Sequence, residues 1–436
     1  MHTRRDALVA FSLALAFAAA SGAAAFGQGQ PTLGQSGPPP RGQPDNPPPP
    51  PPGGGRQAEP YSIDQATSWQ AQLSTYAFSG LAFLTGTYGA DTFLPPGKVA
   101  DYFGFQYMRD IDAHDAGHNN MFLTNIANNV LAVLDHGQRA QLLSLAEKQA
   151  PLYDQFADRR LVLIKAFTQE LQGARPAGTT KLSEKAVEAW LADSFELDGW
   201  ISADRAAMYG GIVSSLTAAQ KTALSRLKFG DSRTWPAIRD PIDRRALPHD
   251  VDILVMTYAS EFFSWYAGSG EADAYFCPER HATYFGGFYM KDYPAMGHND
   301  YFIPTALTGD SGAGFMSLLD PSQAQALLSL KDEDAKIMVE IVGIRRQISN
   351  EFRSCQTGDQ ANDAKVLELS RRYGELDGRL SWLLAEAFAS IGKSLTPEQR
   401  AAMVKLRHQT VFPDGLYRYS DPIPMPPDPD TRAFFE

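Results

Sequence analysis

The sequence predicts an all-α protein built from two tandem helical units. Apolar residues recur every three or four positions over long stretches, which is the spacing of one helix face. Long segments of the chain occur twice, which indicates a duplicated unit. Four short motifs of one pattern mark helix starts, and the apolar–polar alternation typical of strands is scarce.

The first 27 positions, 1–27, are predicted to be a secretory signal peptide. The basic start MHTRRD precedes the apolar stretch ALVAFSLALAFAAA, and SGAAAFG supplies small residues for cleavage. Because the apolar stretch is short for a bilayer span, we expect removal after export and no stable membrane insertion afterwards. The expected location is periplasmic or secreted. Arg4 and Arg5 leave twin-arginine and general secretory export both open.

Composition separates a spacer from the folded part. Residues 28–60 are rich in Gln, Gly and Pro, including six prolines at 47–52, and are predicted to form a disordered spacer. The helical units are predicted over 61–245 and 246–420, followed by a Pro-rich tail, 421–436, that wraps or frays. The chain is 44% hydrophobic, enough for ordinary cores, and its net charge of -11 without a Lys/Arg run argues against nucleic acid as a partner.

The duplication can be followed residue by residue. One copy of an aromatic segment begins at Tyr76 and the other at Tyr258, and the offset (258 − 76 = 182) holds without a gap through YFG. Further matches are FQYMRD with GFYMKD, GHNNMF with GHNDYF, and ELDGWIS with ELDGRLS. These matches place the boundary between the copies near 240–250.

Apolar stripes predict long helices in both copies. The paired carboxylates of the ELDG motifs, Glu196/Asp198 and Glu375/Asp377, are expected on solvated faces or in ion pairs with nearby arginine pairs. The stripe residues are Leu145, Leu152, Phe156, Leu163 and Phe167 in the first copy, and Leu369, Tyr373, Leu376, Leu380, Leu383, Ala387 and Ile391 in the second.

The four helix starts share a capping pattern. A Thr or Asp can accept from the first free backbone N–H groups of a helix, and a Gln three residues later can reach back to the cap residue's own N–H. The pairs are Asp135 with Gln138, Thr217 with Gln220, Asp320 with Gln323, and Thr396 with Gln399.

This Leu-Thr-x-x-Gln signature, twice per unit, resembles the Spy/CpxP periplasmic proteins. In both units a long amphipathic helix with an arginine pair comes after the first motif, at Arg159–Arg160 and Arg345–Arg346. The resemblance covers about 134–228 and 319–408. It implies two Spy-like helical-hairpin or bundle units and an ATP-independent chaperone-like protein with a concave surface for unfolded or envelope proteins.

The family's cradle chaperones are antiparallel dimers. The resemblance therefore implies that two tandem units form a covalent version of that dimer about a pseudo-two-fold axis. Two independent beads are the alternative, and both stay open, as do a monomer and a homodimer.

Aromatic residues beside the duplicated YFG are the candidate client-binding residues. They would form an apolar platform for a flexible client, and burial in a core is the alternative. These residues are Tyr102, Phe103, Phe105, Tyr107, Tyr284, Phe285, Phe288 and Tyr289.

An Asp/His segment is the candidate metal site. Imidazole and carboxylate together suit a divalent transition metal. The alternative is structural: Gly117 and Gly297 make turns, and Asn119 and Asn299 cap the helices that begin after them. No cofactor is predicted, and the metal remains an alternative. Its candidate ligands are Asp110, Asp112, His114, His118 and His298.

The remaining motifs favour a non-enzymatic protein. The sequence holds no HExxH, no CxxCH and no P-loop, and GDSG at 309–312 lacks the partners of a serine-protease triad. Cys277 and Cys355 could form a disulfide in an oxidising compartment. Besides a chaperone-like protein, the alternatives are a periplasmic metal-binding stress protein and a structural or scaffolding module of the cell envelope.

Overall fold

The computed structural model confirms the all-α class. Long helices carry the fold, and two short hairpins accompany them. The structure describes residues 69–85, 99–101, 104–106, 121–227, 235–267, 293–295, 298–303, 312–406 and 429–436.

Helices of the first repeat are bounded as the sequence motifs predict. The caps Asp135 and Thr217 directly precede α3 and α5. The elements are α1 (Trp69–Leu84), β1 (Val99–Asp101), β2 (Gly104–Gln106), α2 (Met121–Val133), α3 (His136–Gln172), α4 (Glu184–Ser215) and α5 (Ala218–Ser225).

The second repeat begins after a short 3-10 turn at Arg244–Ala246. Its first capped helix ends after two turns, and a second helix continues from Lys331, whereas α3 runs unbroken through Pro151. The elements are α6 (His249–Ala267), β3 (Tyr293–Ala295), β4 (His298–Ile303), α7 (Ala313–Met316), α8 (Pro321–Leu328), α9 (Lys331–Ser354), α10 (Asp363–Ser394) and α11 (Pro397–Leu406).

The hairpins lie in the aromatic and GHN segments. β1 pairs with β2 and β3 with β4, both antiparallel. His298 opens β4 and Asn299 lies inside it. The expectation that Asn299 caps a helix is therefore wrong, because its backbone takes part in a strand. Asn119 lies outside the described residues.

Close packing of α4 against α10 explains the duplicated ELDG glycines. A Cβ added at Gly378 would lie 2.7 Å from the Cα of Glu188, and one at Gly199 would lie 2.5 Å from the Oγ of Ser370. These contacts, with Phe195 and Tyr373 rings 4.6 Å apart between them, describe two antiparallel helices in close approach. Glycine is needed where one helix backbone approaches the other.

The carboxylates of the two ELDG motifs divide between interior and surface. Asp198 is 1% exposed and Asp377 0%, so the expectation of solvated faces is wrong for both. Glu196 accepts a 2.6 Å hydrogen bond from Arg371, not from either predicted arginine pair. Placing α10 directly against α4 puts the aspartates of this motif inside the interface.

The first helix of each repeat packs on the other repeat. Helix α6 lies against α2 and α3 of the first repeat, and α1 lies against α7, α10 and α11 of the second. Phe83 of α1 and Phe388 of α10 bring their ring centroids to 6.0 Å. The exchange means that the sequence boundary near 245 is not a packing boundary.

Gly312, which precedes α7, fits the exchange because it has no side chain. Its φ is +84°, a conformation that favours glycine, and a Cβ there would lie 2.2 Å from the carbonyl oxygen of Leu73 in α1. Helix α1 can therefore approach the start of α7 directly.

The link between the repeats lies along α2. The side-chain amide of Asn128 donates to Asp240 at 2.8 Å, and that of Asn129 donates to the carbonyl of Pro236 at 2.8 Å. Buried residues of both repeats form one hydrophobic cluster. The repeats are therefore docked, and the alternative of independent beads is wrong for the described part of the chain.

Candidate functional site

All four predicted caps form the full capping box. Each cap side chain accepts from the backbone N–H of the glutamine, and each glutamine accepts from the backbone N–H of the cap, at 2.8–3.2 Å. Helices α3, α5, α8 and α11 thus begin where the motif places them.

The glutamines also join the two caps within each repeat. Gln220 donates its amide N–H to Gln138 at 2.7 Å, and Gln399 donates to Gln323 at 2.8 Å. The same donors reach the carbonyls of Val133 and Leu318, each at 2.9 Å. An amide is required because it accepts and donates at once, which a carboxylate cannot do. The signature therefore clasps two helix starts together.

The candidate client-binding aromatics cannot be placed. Phe105 lies in β2, of which only the backbone is described. The others, Tyr102, Phe103, Tyr107, Tyr284, Phe285, Phe288 and Tyr289, lie outside the described residues. Their assignment to client binding stays a prediction.

The candidate metal ligands are likewise untested. Asp110, Asp112, His114 and His118 lie outside the described residues, and His298 is described only by its backbone at the start of β4. Within the described ranges, no group of three or more His, Cys, Asp or Glu side chains could hold a metal ion. The metal hypothesis remains a sequence prediction.

Cys355 is buried and free. It ends α9, and its backbone lies beside Gly210 of α4. Burial raises the pKa of its thiol. Cys277 lies outside the described residues, so the predicted disulfide stays a prediction without structural support.

The exchanged helices are anchored by a duplicated tyrosine contact that the sequence analysis missed. Tyr258 of α6 donates to the side-chain carbonyl of Gln149 at 2.5 Å, and Tyr76 of α1 donates to the carboxylate of Asp334 at 2.5 Å. The two acceptors stand equally far from the caps Asp135 and Asp320 (149 − 135 = 334 − 320). The signal was therefore present in the sequence as two spacings.

Asp334 differs from Gln149 in carrying a titratable group, and no cation among the described residues pairs with it. It is 3% exposed, and its Oδ1 atom has no hydrogen-bond partner within the described part of the chain. Burial, with a smaller contribution from the charge of Glu333, raises the pKa of Asp334 to about 7, although the bond from Tyr76 opposes the shift. Burial and Asp334 raise the pKa of Tyr76, which stays protonated as the donor.

The α6 contact holds a buried ion pair instead. Arg205 donates to Glu261 at 2.8 Å, and both side chains are almost fully buried. Tyr209 donates to the carbonyl of Tyr258 at 2.9 Å and to Glu261 at 3.2 Å. Because the positions of Arg205 and Glu261 are not repeated as charges in the second copy, sequence comparison of the copies could not reveal this pair.

Comparisons with known proteins add no relative. No family model, no curated protein and no solved structure matches the chain. Among the described residues, no helix is long and apolar enough to span a bilayer. A function for this chain therefore has to be argued from its residues and their contacts.

Proposed function

We propose that this chain is an exported, non-enzymatic binding protein that shields apolar segments of client proteins without ATP. One observation carries the proposal: each repeat holds an apolar helix that the other repeat donates. This arrangement supports a chaperone-like role because it places, on each repeat, a surface that accepts an apolar helix from elsewhere in sequence.

The surface under α1 combines apolar area with a polar anchor. Phe315 and Phe388 lie so close to Gly80 that an added Cβ would come within 2.5 Å and 3.1 Å of their rings. Asp334 binds the hydroxyl of Tyr76. An amphipathic client helix with a small residue and a hydrogen-bond donor on one face would make the same contacts.

Helix α1 would act as an internal occupant of this surface. Its buried residues include Tyr76, Ala77, Leu81, Phe83 and Leu84. Dissociation of a terminal helix exposes such a surface at a lower cost than unfolding the whole protein. A client would then bind by replacing α1, and release would occur when α1 returns.

The test is suppression of aggregation. A reduced, unfolded client of net positive charge, chosen because the chain carries -11, is followed by light scattering with and without the mature chain. We expect suppression without ATP, and stronger suppression by Phe83→Ala, which loosens α1. Trp200→Ala, at a residue 51% exposed on α4, is the matched control and should behave as the native chain.

Equal scattering with and without the chain would refute the binding function. Suppression that is the same for the native chain, Phe83→Ala and Trp200→Ala would leave a binding protein but reject the surface under α1 as its site.

A further inference from the structure

The segment 429–436 is docked on the first repeat although it comes after the second. It contains a short 3-10 turn, Arg432–Phe434, and lies along the loop between α3 and α4. The connection 407–428 lies outside the described residues. Part of the predicted tail, 421–436, is therefore bound to the protein surface.

Backbone pairing holds the segment as a strand would be held at a sheet edge. The N–H of Ser183 donates to the carbonyl of Phe434 at 2.8 Å, and the N–H of Glu436 donates to the carbonyl of Lys181 at 3.0 Å. Between these bonds, Leu182 and Phe435 form an antiparallel bridge. Main-chain bonds of this kind accept many sequences, so side-chain contacts must supply selectivity.

Three side chains of the segment are buried in the contact. Phe434 meets the ring of Trp190 edge-on, with centroids 5.1 Å apart. Thr431 donates to the side-chain carbonyl of Gln169 at 2.6 Å. Phe435 is also buried.

An acidic residue completes the contact. The carboxylate of Glu436 accepts from Ser183 Oγ at 2.8 Å and lies 2.9 Å from Lys181 Nζ. The recognised pattern is therefore Thr-x-x-Phe-Phe-acid, while Arg432 and Ala433 between the buried residues are exposed.

Only the first repeat contains the loop that forms this surface. Its helices α3 and α4 are joined by 173–183, whereas α9 and α10 of the second repeat are joined by the shorter 355–362. The longer loop turns at Gly173 and Gly178, which have φ of +68° and +81°. The repeats thus differ where one of them carries a peptide.

We propose that the 173–183 loop and Trp190 form a binding site for extended segments of other proteins with a Phe-Phe-acid pattern, and that residues 429–436 occupy it as a tethered competitor. This site is separate from the surface under α1, and the inference does not rest on the proposed function. Recognition uses backbone pairing, an aromatic contact and one ion pair, none of which needs a covalent link to the acceptor.

The tether makes the site selective for strong competitors. A flexible connection raises the effective concentration of an attached segment to about millimolar, so a free segment binds only when it competes with that value. Weakening the attached segment should open the site without changing the loop that forms it.

The experiment measures binding of a fluorescent peptide with the sequence PDTRAFFE by anisotropy. The full chain is compared with the full-length double variant Phe434→Ala/Phe435→Ala, in which the attached segment is weakened. We expect the variant to bind the peptide about ten-fold or more tightly than the native chain, since the tethered competitor is removed. The control peptide PDTRAAFE, without the aromatic residue that meets Trp190, should lose most of this binding.

A charge exchange gives the second arm. Lys181→Glu in the double variant should weaken binding of PDTRAFFE and favour PDTRAFFK, because the pair at Glu436 is then reversed. The proposal is overturned if PDTRAFFE binds neither protein, if the native chain and the double variant bind it equally, or if PDTRAAFE binds as well. None of these outcomes concerns aggregation, so the proposed function is tested separately.

Discussion

At the scale of single residues, the two repeats solve one problem with different chemistry. Tyr258 and Tyr76 both fasten an exchanged helix, yet the acceptor is a neutral amide at Gln149 and a carboxylic acid at Asp334. Burial of an acid without a cation favours its protonated form. The second repeat is therefore expected to respond to pH at a position where the first repeat does not.

Asp334→Asn tests this difference. In the folded state the pKa of Asp334 lies at about 7, above the ordinary 3.8, so the folded protein keeps a proton that the unfolded chain releases. This contribution to stability is complete below the unfolded pKa and is lost as pH rises through the folded pKa. Asn keeps an acceptor for Tyr76 and carries no charge. We expect it to raise the free energy of unfolding at pH 8 by on the order of 2 kcal/mol, with a smaller gain or a loss at pH 5.

Urea unfolding at pH 5 and pH 8 measures the effect. Gln149→Glu is the matched control, because it places an acid at the equivalent position and should create the same fall in stability with rising pH. An equal effect of Asp334→Asn at both pH values would contradict the assignment.

The clasp between caps gives a second residue-scale prediction. Gln399→Glu keeps the acceptor for the backbone N–H of Thr396 but removes the donor to Gln323 and Leu318. We expect a loss of about 1–3 kcal/mol in the free energy of unfolding, since buried acceptors lose their partner. Gln220→Glu should cost about as much in the first repeat. If either variant unfolds at the native urea concentration, the glutamine acts only as a cap.

At the scale of helices, the contact of α4 with α10 depends on glycine more than on helix propensity. A Cβ at Gly374 would lie 2.3 Å from the carbonyl oxygen of Leu191, and one at Gly378 2.7 Å from the Cα of Glu188. Backbone atoms cannot rotate away as a side chain can. The helices would have to separate along their length.

Gly378→Ala is therefore expected to destabilise the protein, although alanine is the better helix former. Overpacking costs about 1–3 kcal/mol in well-packed interiors and should exceed the gain in helix propensity. Gly343→Ala in α9 is the matched control, because a Cβ there meets nothing within 4 Å. It should stabilise by about 0.5–1 kcal/mol. Thermal unfolding of the two variants decides, and a stabilising Gly378→Ala would contradict the close contact.

Helices were more predictable from the sequence than their partners. Caps and apolar stripes are local, so the starts of α3, α5, α8 and α11 and the burial of Tyr373 and Leu380 can be inferred from short-range pattern. The exchange of α1 and α6 depends on contacts between residues far apart in sequence, such as Tyr76 with Asp334. The interior position of Asp198 was missed for the same reason: the apolar stripe of α4 does not show which helix covers it.

At the scale of the whole molecule, the chain closes on itself in three places. Helix α1 crosses to the second repeat, α6 crosses to the first, and residues 429–436 return to the first. Each repeat thus lacks part of its own cover when the other is absent. Duplication here has produced one folding unit from two sequence units.

This closure predicts that neither half folds alone. Residues 61–245 produced without the second repeat lose α6, which leaves Gln149 and Arg205 without Tyr258 and Glu261. Removing the partner of a buried charge costs about 3–5 kcal/mol, a large part of a domain's stability. Residues 246–436 similarly lose α1 from the apolar rings of Phe315 and Phe388. Each half made separately should therefore be aggregated or lack a cooperative thermal transition. The two halves made together in one cell should purify as a 1:1 complex with the helical circular dichroism of the intact chain. Soluble halves that each unfold cooperatively would show instead that the repeats are self-sufficient, and that the exchanged helices only join two finished domains.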